Sequence, residues 1–170
     1  YRDRYADFVE HLHGVRLKNE ERKERDESLF SKEGSAQFEA ETGDDRDGEW
    51  NSAVRTRVLE AEGVVAEVLF PNGGVPFGGF GENNDDQELR HAGNRAYDRW
   101  LKDFADDLPG RRGALAMLAV GDVDAAVAEV NWAADNGFVG VIAPTEPGPG
   151  LPPWLDERYD PVWAACQDTG

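Results

Sequence analysis

The sequence predicts an α/β chain built on parallel strands, and three observations carry that expectation. Three short apolar runs rich in Val, Ile and Leu, namely Val64-Val-Ala-Glu-Val-Leu-Phe-Pro71, Ala114-Leu-Ala-Met-Leu-Ala-Val120 and Gly140-Val-Ile-Ala-Pro144, read as strands. Each is followed by a segment of helical character, over 85–108, 122–136 and 161–168. The alternation recurs at near-even spacing, and strands separated by helices pair in parallel, because a crossover helix returns each strand in the same direction. Near-continuous apolar strands further predict a sheet covered on both faces. The expected strands are 64–70, 114–119 and 139–143, adjacent in that order with right-handed crossovers. Three consecutive βα units, in a chain that starts within a helix and stops after one, read as a partial TIM (β/α)8-type barrel, incomplete at both ends. A charged helical extension precedes them.

At the N-terminus, Tyr1, Tyr5, Phe8, Val9 and Leu12 repeat on one face of an amphipathic helix. Residues 15–27 are nearly all charged, and 28–49 carry glycines and the acidic run Asp44-Asp-Arg-Asp47. Residues 1–49 therefore read as a helix with a charged, partly flexible extension, and 50–170 as the βα units. Trp50, Val54, Val58 and Leu59 have helical spacing, and Gly63 is placed to stop that helix. Residues 72–84 are glycine-rich and form a long irregular loop, ending at Asn84-Asp-Asp as the cap of the next helix. Leu89, Ala92, Ala96, Trp100 and Phe104 are the expected buried stripe of that helix, and Pro109-Gly110 ends it. Asp122 is placed to cap the following helix, with Val123, Ala126, Val127, Val130 and Ala133/Ala134 turned inward and Gly137 as its stop. Four prolines stiffen the last loop, 145–160.

Composition narrows the function classes. The 170 residues give room for one domain with a real core, and a 39% hydrophobic content supports folding. A net charge of −17 disfavours nucleic acid and anionic membranes as partners, since both would repel the chain. No apolar run approaches the roughly 20 residues of a membrane span. Tyr1-Arg-Asp-Arg-Tyr5 does not read as a signal peptide, so the expected location is cytoplasmic. The single cysteine, Cys166, cannot form an internal disulfide and reads as a small core residue rather than a nucleophile.

The chemistry-bearing candidates are few. His11-Leu-His13 has the spacing of a metal-binding His-x-His pair, which works on a strand because i and i+2 point the same way. Here the flanking period is helical, where i and i+2 diverge by about 200°, so both histidines read as exposed helix residues. His91 reads as a surface or helix-packing residue. Gly78-Gly-Phe-Gly81 lacks dinucleotide-loop spacing and is followed by acids that would repel a phosphate. No nucleophile elbow or Walker lysine occurs, and no catalytic residue or metal ligand is assigned. In a parallel barrel the functional face lies at the C-terminal ends of the strands. The loops there carry Asn72, Phe77, Phe80, Thr145, Glu146, Trp154 and Tyr159 as substrate-loop candidates.

Four stretches then carry a resemblance. Gly63-Val-Val-Ala-Glu-Val-Leu-Phe-Pro-Asn72, Ala92-Gly-Asn-Arg-Ala-Tyr-Asp-Arg-Trp-Leu101, Arg112-Gly-Ala-Leu-Ala-Met-Leu118 and Tyr159-Asp-Pro-Val-Trp-Ala-Ala165 resemble the amidohydrolase-related family, the branch with aminocarboxymuconate-semialdehyde-type decarboxylases. The resemblance covers about 50–170, and it implies a distorted TIM barrel holding a divalent metal, often zinc, in its mouth. The family's metal ligands map to no residue of this chain. The resemblance thus implies an internal segment of a metal-dependent enzyme that hydrolyses an amide, ester or lactone, or decarboxylates a small carboxylated substrate. In such an enzyme the metal lowers the pKa of bound water or polarises the substrate. The segment by itself is expected to be inactive and to bind no metal. The competing readings are a stand-alone α/β ligand-binding module using the loops 71–84 and 144–160, or a purely structural subunit.

Overall fold

The computed structural model describes residues 42–71 and 87–170, together with Asp3, Ala6, Glu10, Gly14, Ala36, Gln37 and Ala40. The chain divides into two compact units, Tyr1–Glu62 and Gly63–Gly170.

In the first unit a 3-10 turn, Gly43–Glu49, leads to helix α1, Ser52–Ala61. Asn51 caps α1, its side-chain oxygen accepting from the backbone N–H groups of Ala53 and Val54 at 3.1 and 3.2 Å. The helical spacing that placed α1 is correct, but Trp50 lies ahead of the cap and is 60% exposed, and α1 itself has no fully buried residue. Asp3, Ala6, Glu10 and Gly14 have helical backbone, while His11 and His13 lie outside the described residues.

The second unit is the βα array. Its elements are β1 (Glu67–Leu69), α2 (Gln87–Asp106), β2 (Arg112–Met117), α3 (Val123–Asp135), β3 (Gly140–Ile142) and α4 (Asp160–Thr169). The strands form one sheet in the order β1-β2-β3, both pairs parallel, with Glu67 opposite Arg112 and Leu115 opposite Gly140. Order and direction are those the alternating pattern predicts. The first strand is shorter than 64–70 because its leading carbonyls bond elsewhere: Arg111 Nε donates to the Val65 carbonyl at 2.6 Å. Asp122 caps α3 by accepting from the Ala125 N–H at 3.0 Å. Gly63 and Gly137 follow their helices at φ +71° and +73°, the left-handed geometry that a helix stop requires.

The expectation of cover on both faces is met only in part among the described residues: Met117, on the face opposite Ala114 and Ala116, is 3% exposed. Leu69, Ala114, Ala116 and Val141 face the helices, whereas Val68 and Phe70 on the other face of β1 are 51% and 64% exposed. Two apolar clusters hold the helices down. Leu69 and Ala114 pack with Leu101, Phe104 and Ala105 of α2. Leu118, Val120, Ala126, Val130, Tyr159, Val162 and Ala165 join β2, α3 and α4, with Cys166 packed against them. Burial pushes the Cys166 thiol up, as expected of an inert core residue.

The face of α2 differs from the apolar stripe. Leu89 and Phe104 are buried, but Ala96 is exposed and Trp100 is 40% exposed, stacking on Phe104 at 5.3 Å. The inward face instead includes Arg90, Gly93, Asn94, Asp98, Leu101 and Ala105. Asp98 occupies it because it finds a backbone partner there, as described below. Among the described residues, no helix is long and apolar enough to cross a membrane.

Candidate functional site

The loops at the C-terminal ends of β2 and β3 form a rim that α2 closes from the side. Val120 is 1% exposed and anchors the β2 exit in the core, which fixes Gly121 behind it. A Cβ at Gly121 would sit 2.5 to 2.8 Å from Cγ, Oε1 and Cβ of Gln87, the first residue of α2. Only glycine admits Gln87 this close. Gln87 Nε2 and Arg90 Nη1 also approach Gly148 in the loop after β3, at 3.4 and 3.5 Å from where its Cβ would lie. Arg158 Nη2 donates to the Gly121 carbonyl at 2.6 Å, tying the β3 loop to the β2 loop. Gly121→Ala is expected to destabilise the chain by about 1–3 kcal/mol through this overlap. Gln87→Ala in the same chain should restore part of the loss, since it removes Cγ and Oε1 but keeps the Cβ at 2.8 Å. Urea denaturation of the single and double variants measures both, and an additive pair would count against the contact.

The long loop after β3 is braced internally. Trp154 Nε1 donates to the Thr145 carbonyl at 3.1 Å, and Tyr159 Oη donates to the Pro152 carbonyl at 3.0 Å. The Trp154 ring lies 5.0 Å from Tyr159 and 5.3 Å from Trp163. Of the substrate-loop candidates, Thr145 and Glu146 are exposed, Trp154 is half-buried and Tyr159 is fully buried. Trp154 and Thr145 are brought together. Asn72, Phe77 and Phe80 lie outside the described residues.

Beneath the rim, between α2 and α3, runs a polar seam. Asp98 is fully buried and both its carboxylate oxygens accept from the Met117 N–H, at 3.0 and 3.1 Å. Glu129 of α3 is 3% exposed and its Oε2 lies 3.2 Å from Arg95 Nε. Burial pushes the Asp98 carboxyl up to about 7, the Met117 bond opposing and Glu129 adding to the rise. Burial also raises Glu129, against the pull of Arg95 and Arg99. His91, half-buried on α2, is held below its ordinary value by burial and by Arg95, with Asp122 opposing. Counting apolar residues missed this seam. The signal available was Leu101, which shares a helical face with Asn94 and Asp98 and which the stripe through Trp100 leaves unused.

Among the described residues, no group of three or more His, Cys, Asp or Glu side chains is placed to hold an ion. Asp98 and Glu129 are a pair turned toward a backbone N–H and an arginine.

An array of parallel βα units with its long loops at the strand exits is the architecture of a barrel wall and rim. The sequence model of the amidohydrolase family matches residues 36–170, so the chain belongs to that family. The match starts upstream of residue 50, where the resemblance of the sequence begins. A solved structure of 2,6-dihydroxybenzoate decarboxylase, complexed with 2,6-dihydroxybenzoate, superposes with a TM-score of 0.57 at 24% identity. It covers 68% of this chain, while this chain spans 36% of that one. The likeness is one of fold. A comparison with curated proteins finds no match.

Proposed function

We propose that this chain forms part of the wall and substrate-facing rim of a metal-dependent amidohydrolase-family enzyme that acts on a small molecule. The reaction is hydrolysis of an amide, ester or lactone, or decarboxylation of a small carboxylated substrate. The observation that carries this reading is the parallel order β1-β2-β3 with the Gln87–Gly121–Gly148–Arg158 junction holding two strand-exit loops together. Active sites of parallel barrels form at that end. Within it, Thr145, Glu146 and Trp154 shape the substrate side of the loop after β3, Tyr159 braces that loop from below, and Asn72, Phe77 and Phe80 contribute from the loop after β1. The metal, zinc by family habit, is held by ligands outside this chain.

The test starts from the reading frame around this segment. It is expected to encode a His-x-His upstream and a strand ending in His downstream. The protein made from that whole frame should take up about one divalent metal per chain and hydrolyse nitrophenyl esters or lactones, or decarboxylate a hydroxybenzoate, with chelator abolishing activity. The 170-residue chain alone should be silent and bind zinc no better than a generic acidic protein. Stoichiometric, tight zinc uptake by the segment, with chelator-sensitive turnover, would overturn the reading and return His11 and His13 to consideration.

A further inference from the structure

The rim holds a polar group that the protein itself does not use. Gln87 opens α2, and its Nε2 and Oε1 are both buried without a hydrogen bond. Among the described residues it is the one side chain with every polar atom in that state. A carboxamide offers two donors and an acceptor, and stranding them away from water is costly.

The packing around Gln87 aims that amide. Its Cγ and Oε1 lie against Gly121, where an added Cβ would come within 2.5 and 2.6 Å of them. Its Nε2 reaches the loop after β3. The space that a Cβ would take at Gly148 is a notch, walled by Gln87 Nε2 at 3.4 Å, Arg90 Nη1 at 3.5 Å and Leu151 Cδ1 at 3.9 Å. Gly148 has φ +122°, a backbone geometry that residues with a Cβ rarely adopt, so the loop keeps the notch open. An oxygen placed there sits at the edge of hydrogen-bond range of both nitrogens. Arg90 is 7% exposed, so its charge acts beside the notch with little water to screen it. The N-terminus of the 20-residue α2 adds potential of the same sign. The acidic neighbours Glu88 and Glu146 are exposed.

We propose that this notch is a carboxylate subsite of the rim, in which Gln87 Nε2 and Arg90 Nη1 take one oxygen of a small carboxylic acid substrate. The subsite rests on the rim's facing a small-molecule substrate, as proposed above, and it selects the carboxylated class. A neutral ester or lactone carbonyl gains the hydrogen bond of the amide and little of the ionic attraction, since bonds to charged acceptors are about twice as strong. The net charge of −17 repels anions at long range, so a plain carboxylate should bind only where donors converge on it.

The test titrates the full 15N-labelled chain with sodium benzoate and, in parallel, with benzamide, its neutral counterpart, at constant ionic strength. Benzoate should shift the Gln87 side-chain NH2 pair and saturate, and benzamide should bind about tenfold more weakly. Gln87→Met keeps Cβ and Cγ against Gly121 and removes the amide, so it should weaken benzoate about tenfold. Gly148→Ala puts a methyl in the notch and should weaken benzoate to a similar degree. Gly150 also has positive φ, at +73°, with nothing within 4 Å of an added Cβ, so Gly150→Ala carries backbone strain alone and should bind as wild type does. Equal affinity for benzoate and benzamide, a Gln87→Met chain that binds benzoate as tightly as wild type, or no saturable binding by about 100 mM would overturn the subsite. These outcomes are read without turnover. Metal uptake and turnover by the whole-frame protein, with no benzoate site here, would therefore sink the subsite alone. If Gly148→Ala fails to fold, the two titrations of wild type and Gln87→Met still decide.

Discussion

Replacing Arg112 by alanine is expected to destabilise the βα unit by about 3–5 kcal/mol, because it breaks a buried ion pair by removing its cation. Arg112 opens β2 with a fully buried side chain. Its Nε lies 2.8 Å from Glu67 Oε1 on β1, and its Nη1 donates to the Phe104 carbonyl near the end of α2, also at 2.8 Å. The guanidinium carbon stands 4.5 Å from the centre of the Phe104 ring. One side chain thus joins strand, neighbouring strand and helix, and the Phe104 carbonyl would lose its side-chain donor as well. A lysine keeps the charge but not the fork, so Arg112→Lys should recover only part of the loss. Converting Arg112 and Glu67 together to leucine removes both charges and should recover more than lysine does. Urea denaturation gives the ordering. An alanine variant within about 1 kcal/mol of wild type would show that the pair is not a keystone.

The second large effect is expected at Tyr159. It is fully buried, packs among Val120, Val162 and Ala165, and holds the loop after β3 through the Pro152 carbonyl. Tyr159→Ala should cost about 3–5 kcal/mol, by loss of ring burial and by the cavity left behind. Tyr159→Phe retains the ring and strands one carbonyl, a loss of about 1 kcal/mol. The two variants separate packing from tethering. In the whole enzyme, Tyr159→Phe should leave the melting temperature near wild type while loosening the loop that carries Thr145, Glu146 and Trp154, read as a raised KM. Equal destabilisation by Phe and Ala would place the energy in the hydrogen bond instead of the ring.

The parts of this fold legible in sequence were those written in apolar residues. The strands around Ala114–Val120 and Gly140–Ile142 could be placed because apolar runs bounded by turn residues have few other uses. Asp122 and Gly137 could be placed because cap chemistry is local. The inward face of α2 could not be read the same way. Its buried residues include Arg90, Asn94 and Asp98, and Asp98 earns its position through Met117, 19 residues away. A polar residue buried for a distant backbone donor looks, in sequence, like any solvated one. Among the rim candidates, Trp154 and Tyr159 could be singled out because aromatic residues in a proline-rich loop stand out. Gln87, whose neighbour is Gly121 from another loop, carried no such mark.

The bare outer face of β1 bears on how this chain behaves among its own copies. The strands pair in the order in which they leave the ribosome, so α2 can settle on β1 and β2 before β3 is made, each step closing a short loop. In this chain Val65, Val68 and Phe70 are bare, an invitation to other copies of it. A charge of −17 supplies long-range repulsion between those copies. The acidic surface thereby works against self-association of the chain. Its protection fades where that charge is lost, near the pI of 4.4, or where salt shortens its reach.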